Sequence, residues 1–304
     1  MIKSQRDEFI EIIHKRAKKD KNIFILSADF GAPALDGYIA ELPKQFLHLG
    51  ISEQNMIDVA IGLALKGKKV FCYAMAPFVS LRCIEQHKTA GLMNLPIVTL
   101  VAGVGLGYAD AGPTHYATDD YGPLASLIKS NIYTVSDGLV ASKLANKLCS
   151  KPEYSFVRMD RNPTKNLSKS LTETELKKGF RFLSKGSSTC VISRGYMSFK
   201  VNNLFEKNKN LKKFSHIDLF KSKPLPNNFA NVLKKYKKIV VVDEQVERSS
   251  LAFPLSHYIL KNKIRSKVIF LNLDERYTFE NGGRDYLLSI NGLSDNKIMK
   301  NIES

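Results

Sequence analysis

The stretch MIDVAIGLALKGKKVFCY, residues 56–73, contains the pattern that decides the fold. Its first ten residues are rich in Ala and predict a helix, Gly67 ends that helix, and residues 69–73 form a short apolar run of strand length. The pattern repeats, because a helix predicted at about residues 79–93 leads into the apolar run 97–101. Continuously apolar strands that alternate with helices indicate a parallel sheet covered on both faces. We therefore predict an α/β fold.

The same alternation extends in both directions along the chain. Residues 5–19 have apolar side chains at helical spacing, and residues 23–26 and 154–159 predict buried strands. Residues 160–180 are polar, include Pro163 and lack an apolar face, which is typical of a linker. A second α/β unit follows, with strands predicted at residues 189–193, 214–218, 239–243 and 268–272. We predict two domains, at residues 1–165 and 175–304.

Composition limits the class of protein. The 304 residues include 46 Lys and Arg against 29 Asp and Glu, a formal net charge of +17. The lysines are scattered and no row of aromatic side chains lies among them, so we expect a basic surface that attracts anionic substrates and no nucleic-acid partner. Four widely separated cysteines predict free thiols in a reducing compartment. Without a signal-peptide pattern or a long apolar run, we expect a cytoplasmic protein with no membrane partner.

A glycine-rich loop, GVGLG at residues 103–107, follows the apolar run 97–101. The dinucleotide-binding fingerprint is GxGxxG at the start of a helix, with an acidic residue on the next strand. This loop reads GxGxG and continues into YADAGP, which predicts further loop. We therefore do not expect nicotinamide binding, and the sequence also lacks the motifs of P-loop nucleotidases, zinc proteases and GxSxG hydrolases.

A carboxylate, Glu53, stands where a loop meets the Ala-rich helix, in the segment GISEQ at residues 50–54. Alone it could be a helix N-terminal carboxylate, which the helix dipole stabilises by roughly 0.3–1 kcal/mol. Two further segments follow in order: APF at residues 76–78, which opens the next helix, and GPTH at residues 112–115. Together the three segments resemble the pyrimidine-binding domain of thiamine diphosphate enzymes of the transketolase family.

The second half of the chain extends the resemblance, which covers residues from about 4 to 298. FKSKPL at residues 220–225 is similar to the family's F-x-x-K-P-L/I turn, and VDE at residues 242–244 is similar to its V-[ED]-E strand end. The resemblance implies two doubly wound α/β domains. The first is a thiamine pyrimidine-binding domain with a parallel sheet, and the second is a transketolase C-terminal-like domain.

The resemblance also implies roles at the cofactor. Glu53 matches the catalytic glutamate, whose carboxyl group bonds to the pyrimidine N1′ and thereby assists loss of the proton at the thiazolium C2. Phe78 matches the aromatic residue that stacks on the pyrimidine. Asp29 matches an S-A-D loop near the cofactor.

Four further residues are expected to surround the cofactor's ring. Leu81 and Ile84 would lie behind Phe78 on one helix face, because their spacing is i, i+3, i+6. Gly105 and Gly107 would let the backbone approach the ring closely.

The substrate-binding residues implied by the resemblance carry charge or can shuttle a proton. His115 matches a catalytic histidine that contacts sugar hydroxyls. Arg6 and Arg161 lie near positions that hold a sugar phosphate, a role that suits guanidinium groups. Asp110 is one position out of register with an aspartate that contacts the substrate. Gly103 replaces another family histidine, which implies a sugar other than the usual pentose phosphates.

In full-length family members a preceding domain binds the diphosphate through a metal, using a GDG motif that this sequence lacks. The resemblance therefore implies one subunit of a split enzyme that uses thiamine diphosphate. The diphosphate-binding partner, an N-terminal transketolase subunit, would hold Mg²⁺ or Ca²⁺, and this chain would supply no metal ligand. Self-association through the pyrimidine-binding domain would complete an α2β2 assembly that acts on a sugar.

The predicted function is the pyrimidine-binding subunit of a two-subunit transketolase, which transfers a two-carbon ketol unit between phosphorylated sugars. Two alternative enzymes remain: a deoxyxylulose phosphate synthase-like enzyme and the β subunit of a 2-oxo acid dehydrogenase, both of which would release CO₂ from pyruvate. A third alternative is a non-catalytic protein with the same fold, because fold does not determine function.

Overall fold

The computed structural model describes residues 3–28 and 31–304. The first half contains α1 (Gln5–Ala17), β1 (Ile23–Ser27), α2 (Pro33–Glu41), β2 (Phe46–His48), α3 (Glu53–Leu65), β3 (Lys69–Met75), α4 (Ala76–Leu81), α5 (Ile84–Leu92), β4 (Ile97–Ala102), α6 (Tyr121–Ser126), β5 (Asn131–Thr134), α7 (Gly138–Ser150) and β6 (Ser155–Met159). The second half contains α8 (Glu173–Lys178), β7 (Arg181–Ser184), β8 (Thr189–Ser193), α9 (Gly195–Lys207), β9 (Ser215–Asp218), β10 (Lys221–Lys223), α10 (Phe229–Leu233), β11 (Lys238–Val246), α11 (Ala252–Lys261), β12 (Lys267–Leu273), α12 (Arg284–Ile290) and α13 (Asp295–Glu303).

The first sheet has the strand order β10-β5-β6-β4-β3-β1-β2, and its strands pair in parallel except for the antiparallel β10 at one edge. Side chains of β3 alternate between two cores, as a strand buried on both faces requires. Phe71 and Tyr73 pack with α1, α2 and α7, whereas Val70 and Cys72 pack with α3 to α6. The predicted doubly wound α/β fold is confirmed for this half.

The second sheet has the order β12-β11-β8-β9-β7, with β7 antiparallel to β9 and the other pairs parallel. Val240 and Val242 of β11 pack with α9, α12 and α13. Ile239 and Val241 point to the opposite face, against α10 and α11. This second unit is also covered on both faces, which agrees with the predicted second α/β domain.

The two halves are joined by more than the connecting chain. β10, from the second half, pairs with β5 at the edge of the first sheet. Leu106 and Tyr116, from the first half, are buried in the core between the second sheet and α9, α12 and α13. The division at residues 165 and 175 stays a prediction, and the glycine-rich loop lies where the halves meet.

Residues 160–180, predicted as a linker, are in part packed. α8 begins with a capping box between Thr172 and Glu175. Leu171 and Leu176 are buried in the core beside α1 and α7. These two leucines are buried by contacts with helices that are distant in the sequence. Because two isolated leucines give no recognisable periodicity, the sequence alone does not predict this packing. Among the helices of the described residues, none is long and apolar enough to cross a membrane.

Candidate active site

Glu53 is the first residue of α3, where its side chain is almost completely buried. The N-terminal end of a helix stabilises a negative charge, because its free backbone N–H groups point outward. Glu53 forms an ion pair with the half-exposed Arg82, whose Nη1 donates to Oε2 of Glu53 at 2.6 Å. The predicted acid is therefore a buried carboxylate that faces a half-exposed cation.

Phe78 lies in α4, directly after β3, and is half-buried. The guanidinium carbon of Arg82 lies 4.9 Å from the centre of the Phe78 ring. On another side, the ring of His115 meets Phe78 edge-on, with centroids 5.6 Å apart and planes at 74°. The structure thus brings Glu53, Phe78 and His115 into one cluster, which we call the Glu53 cluster.

Arg82 was not anticipated from the sequence. It lies four residues after Phe78, a spacing at which two side chains of a helix meet and a cation can stack on an aromatic ring. That spacing was the available signal. The backbone carbonyl of Arg82 accepts a hydrogen bond from Nε2 of Gln54 at 3.2 Å, which ties the end of α4 to the start of α3.

The prediction of a single helix over residues 79–93 is wrong, because the chain forms two helices, α4 and α5, with a break at Arg82 and Cys83. Phe78 and Leu81 both lie in α4, whereas Ile84 begins α5, so the i, i+3, i+6 spacing does not put all three side chains on one helix face. Leu81 is exposed, and Ile84 packs against the core that contains α3. Their roles beside the cofactor stay predictions.

The glycine-rich loop is shaped by the second half of the chain. Gly105 has φ +61°, and a Cβ there would lie 2.5 Å from Oε2 of Glu244 at the end of β11. A Cβ on Gly107 would lie 3.0 Å from the Val104 carbonyl oxygen. Contacts within the chain thus require a glycine at residue 105 and leave little room for a side chain at residue 107. A close approach of these glycines to the cofactor stays a prediction.

Glu244 belongs to a buried charge network that holds this loop. It accepts from Nε of Arg284 at 2.8 Å and from the backbone N–H of Leu106 at 3.2 Å. Arg284 also donates to Asp160, which follows β6, at 2.5 Å. Burial raises the pKa of Glu244 although Arg284 opposes the rise. Burial disfavours the charge of Arg284, but the two carboxylates more than compensate and raise its pKa.

The two predicted phosphate-binding arginines lie near one tyrosine. Arg161 stacks over the Tyr108 ring at 4.8 Å. Burial raises the pKa of Tyr108, and the charges of Arg6 and Arg161 both oppose that rise. Each arginine also pairs with a carboxylate: Arg6 with Asp7 at 3.0 Å, and Arg161 with the exposed Asp110 at 2.9 Å. A bound anion would have to compete with these carboxylates.

Asp29 lies outside the described residues. Within residues 3–28 and 31–304, no group of three or more His, Cys, Asp or Glu side chains is arranged to hold a metal ion.

A groove of about 1130 Å³ lies between α6 and α11 and includes Leu81. Much of its lining is apolar, including Pro123, Phe253 and Pro254. It contains none of the three residues of the Glu53 cluster. The candidate active site is therefore identified by the side chains of the Glu53 cluster and not by the size of this groove.

The Glu53 cluster contains the two groups that an aminopyrimidine ring needs. Such a ring needs a flat apolar surface and a carboxyl group that reaches a ring nitrogen. The guanidinium of Arg82 demonstrates that one planar, nitrogen-bearing group can contact the Phe78 ring and the Glu53 carboxylate together. The surrounding burial of Glu53 keeps water from competing for the carboxylate.

Comparison with known protein families identifies the first half of the chain. The family model described as "Transketolase, pyrimidine binding domain" matches residues 4–165, just over half of the chain. The protein belongs to this family.

Individual relatives and a solved structure extend the match. One of the subunits of the apulose-4-phosphate transketolase of Phocaeicola vulgatus is 34% identical over 159 residues, which are 51% of this chain and 51% of that protein. A putative transketolase C-terminal section of Methanocaldococcus jannaschii is 24% identical over 312 residues, covering 99% of this chain and 96% of that protein. A solved split gene transketolase, an inactive beta4 tetramer, has a TM-score of 0.84 at 17% identity and covers 100% of this chain and 98% of that one. This last likeness demonstrates the shared fold.

Proposed function

We propose that this chain is the pyrimidine-binding subunit of a two-subunit, thiamine diphosphate-dependent transketolase. The observation that carries the proposal is the pairing of a buried carboxylate, Glu53, with a half-buried aromatic ring, Phe78, so that one planar group contacts both. Family membership of residues 4–165 supports it. The name of the Phocaeicola vulgatus relative, which is that of one subunit of a transketolase, supports the two-subunit arrangement.

Each residue of the cluster has a distinct task in this reaction. Bound thiamine diphosphate supplies the carbon nucleophile that carries the two-carbon unit between sugars. Glu53 holds a proton at the pyrimidine nitrogen N1′, and its burial excludes water from that hydrogen bond. Phe78 provides the flat surface that fixes the ring's orientation. We assign to His115, which packs against Phe78, the task of contacting sugar hydroxyls and moving a proton at the substrate.

We extend the proposal to a sugar with an anionic group. Arg6 and Arg161 lie around Tyr108, and an anion between them would replace their bonds to Asp7 and Asp110. Guanidinium groups suit phosphate oxygens, because several N–H donors lie in one plane. The phosphorylated substrate in the name of the Phocaeicola vulgatus relative agrees with this class.

A partner chain completes the proposed enzyme. It would bind the diphosphate and hold Mg²⁺ or Ca²⁺, while this chain contributes the Glu53 cluster. We propose an α2β2 assembly in which this chain self-associates through its pyrimidine-binding domain. Asp29 would lie near the cofactor, as the family resemblance implies.

Reconstitution tests the proposal. The tagged chain is purified from its own cells together with the diphosphate-binding subunit, and the two chains are then separated and recombined. Ketol transfer is measured with phosphorylated ketoses as donors and aldoses as acceptors. Transfer that requires both chains and thiamine diphosphate supports the proposal. Isolation of the chain alone, with no partner and no cofactor-dependent transfer, contradicts it and favours the non-catalytic alternative.

A further inference from the structure

The backbone of Arg82 is held in place, whereas its side chain is half-exposed. Its carbonyl is held by Nε2 of Gln54, and the neighbouring Cys83 is completely buried. Burial, together with the nearby charge of Glu53, raises the pKa of the Cys83 thiol to about 12, so that thiol stays neutral beside the ion pair. The Arg82 side chain itself is 45% exposed. The guanidinium can therefore move into solvent without disturbing α3 or α4.

In its present position the guanidinium makes two contacts at once. It donates to the Glu53 carboxylate at 2.6 Å and lies over the Phe78 ring at 4.9 Å. These are the same two partners that the proposed function gives to the aminopyrimidine ring. A guanidinium is planar, cationic and rich in N–H donors, so it can stack and hydrogen-bond in one orientation.

We infer that Arg82 occupies the ring-binding position of the free chain and must leave when the aminopyrimidine binds, so that it competes with the cofactor. The inference rests on the proposed function, because it assumes that the ring binds between Glu53 and Phe78. A ring that contacted Glu53 and Phe78 in the same way would overlap the guanidinium of Arg82. Without Arg82, the free chain would hold a buried carboxylate with no cation beside it, which is costly. Arg82 is thus a positioning residue that keeps Glu53 paired until the cofactor arrives.

The test measures cofactor affinity in the reconstituted two-chain complex. Thiamine diphosphate is titrated with Mg²⁺ in excess, and the dissociation constant is obtained by calorimetry. Arg82→Leu removes the competing ion pair while it keeps an apolar stem, so we expect the dissociation constant to fall by about threefold to tenfold. Arg82→Lys keeps the positive charge but lacks the planar guanidinium group. The cofactor dissociation constant of this variant should lie between those of Arg82→Leu and the wild type. Lys88→Gln removes an exposed charge in α5 and should bind as the wild type does.

A lower dissociation constant is the informative result. Loss of a residue with only a structural role, or of a residue that contacts the cofactor, would raise the dissociation constant instead. An unchanged or higher dissociation constant for both Arg82 variants overturns the inference while the proposed function stands. Absence of binding by the wild-type complex overturns the proposed function and this inference with it. A crystal structure of the loaded complex gives an independent result: we expect the bond between Nη1 of Arg82 and Oε2 of Glu53 to be broken. Its retention at 2.6 Å would contradict the inference.

Discussion

Gly105 and Glu244 fit together so closely that a Cβ on the glycine would lie 2.5 Å from the carboxylate oxygen Oε2. The glycine also has φ +61°, a conformation that other residues rarely adopt. One residue belongs to the loop after β4 and the other to the end of β11. The glycine-rich loop is therefore fixed against the second half of the chain.

Gly105→Ala should lower the free energy of unfolding by about 1–3 kcal/mol, because the new methyl group meets Glu244 and the backbone is strained. Gly62→Ala is the matched control. Gly62 lies in α3, and a methyl group added there would meet no atom outside the adjoining backbone of its own helix within 4 Å, so alanine should stabilise by about 0.5–1 kcal/mol. Urea unfolding of both variants measures the difference. Equal effects at the two glycines would show that neither Glu244 nor the backbone conformation disfavours a side chain at residue 105.

Removal of Arg284 should have a larger effect. Arg284→Met leaves two buried carboxylates, Glu244 and Asp160, without their shared cation, so the free energy of unfolding should fall by about 3–5 kcal/mol. Lys165→Met is the control, because its pair with Glu206 is exposed and worth at most about 1 kcal/mol. Chemical denaturation compares the two, and similar losses would mean that the buried network contributes no more than a surface pair.

Acid should destabilise the protein through His87. This histidine is completely buried, its Nε2 donates to the Val79 carbonyl at 2.8 Å, and burial lowers its pKa from 6.5 to about 4. Between these values the unfolded chain takes up a proton that the folded chain does not, so stability falls as the pH drops from 6.5 towards 4. At pH 5 the loss amounts to about 2 kcal/mol.

His87→Gln should make the free energy of unfolding less dependent on pH across that window. His216, whose pKa burial lowers to about 3, contributes in the same direction and remains. Denaturation curves at pH 7 and pH 5 give the slope, and an unaltered slope in His87→Gln would contradict the assignment.

Labelled pyruvate separates the proposed transketolase from the two alternative enzymes. A transketolase moves a ketol unit and releases no CO₂, whereas a synthase or a 2-oxo acid dehydrogenase subunit decarboxylates pyruvate. We expect the reconstituted complex to release no labelled CO₂ while it transfers ketol units between sugars. Labelled CO₂ that depends on both chains would replace the proposed activity with one of the alternatives.

The fold was predictable where the pattern is local. Apolar runs such as the one that forms β4 are buried on both faces, and burial of that kind is visible in composition alone. The antiparallel β10 was not predictable, because its sequence, Lys-Ser-Lys, is typical of a surface loop. It becomes a strand by pairing with β5, and Nζ of Lys223 bonds to the Ala125 carbonyl at 2.6 Å. Such contacts depend on the tertiary structure.

The site residues that match the family's motifs were predictable from the sequence. Glu53, Phe78 and His115 were anticipated, and the structure brings them together. Arg82 was missed because its one signal, the spacing of four residues from Phe78, belongs to no motif. The break between α4 and α5, which puts Ile84 in a different helix from Phe78, has no glycine or proline signal.

The central claim is that Glu53 is the acid that activates the cofactor, and its most direct test is ketol transfer by the complex that carries Glu53→Gln. Glutamine keeps the size of the side chain but cannot hold or release the proton, so the turnover rate should fall by about 100-fold or more. Glu85→Gln, a substitution outside the Glu53 cluster in α5, is the control and should keep the wild-type rate. A rate in Glu53→Gln within a few-fold of the wild type, with both chains assembled and the cofactor bound, would contradict the account.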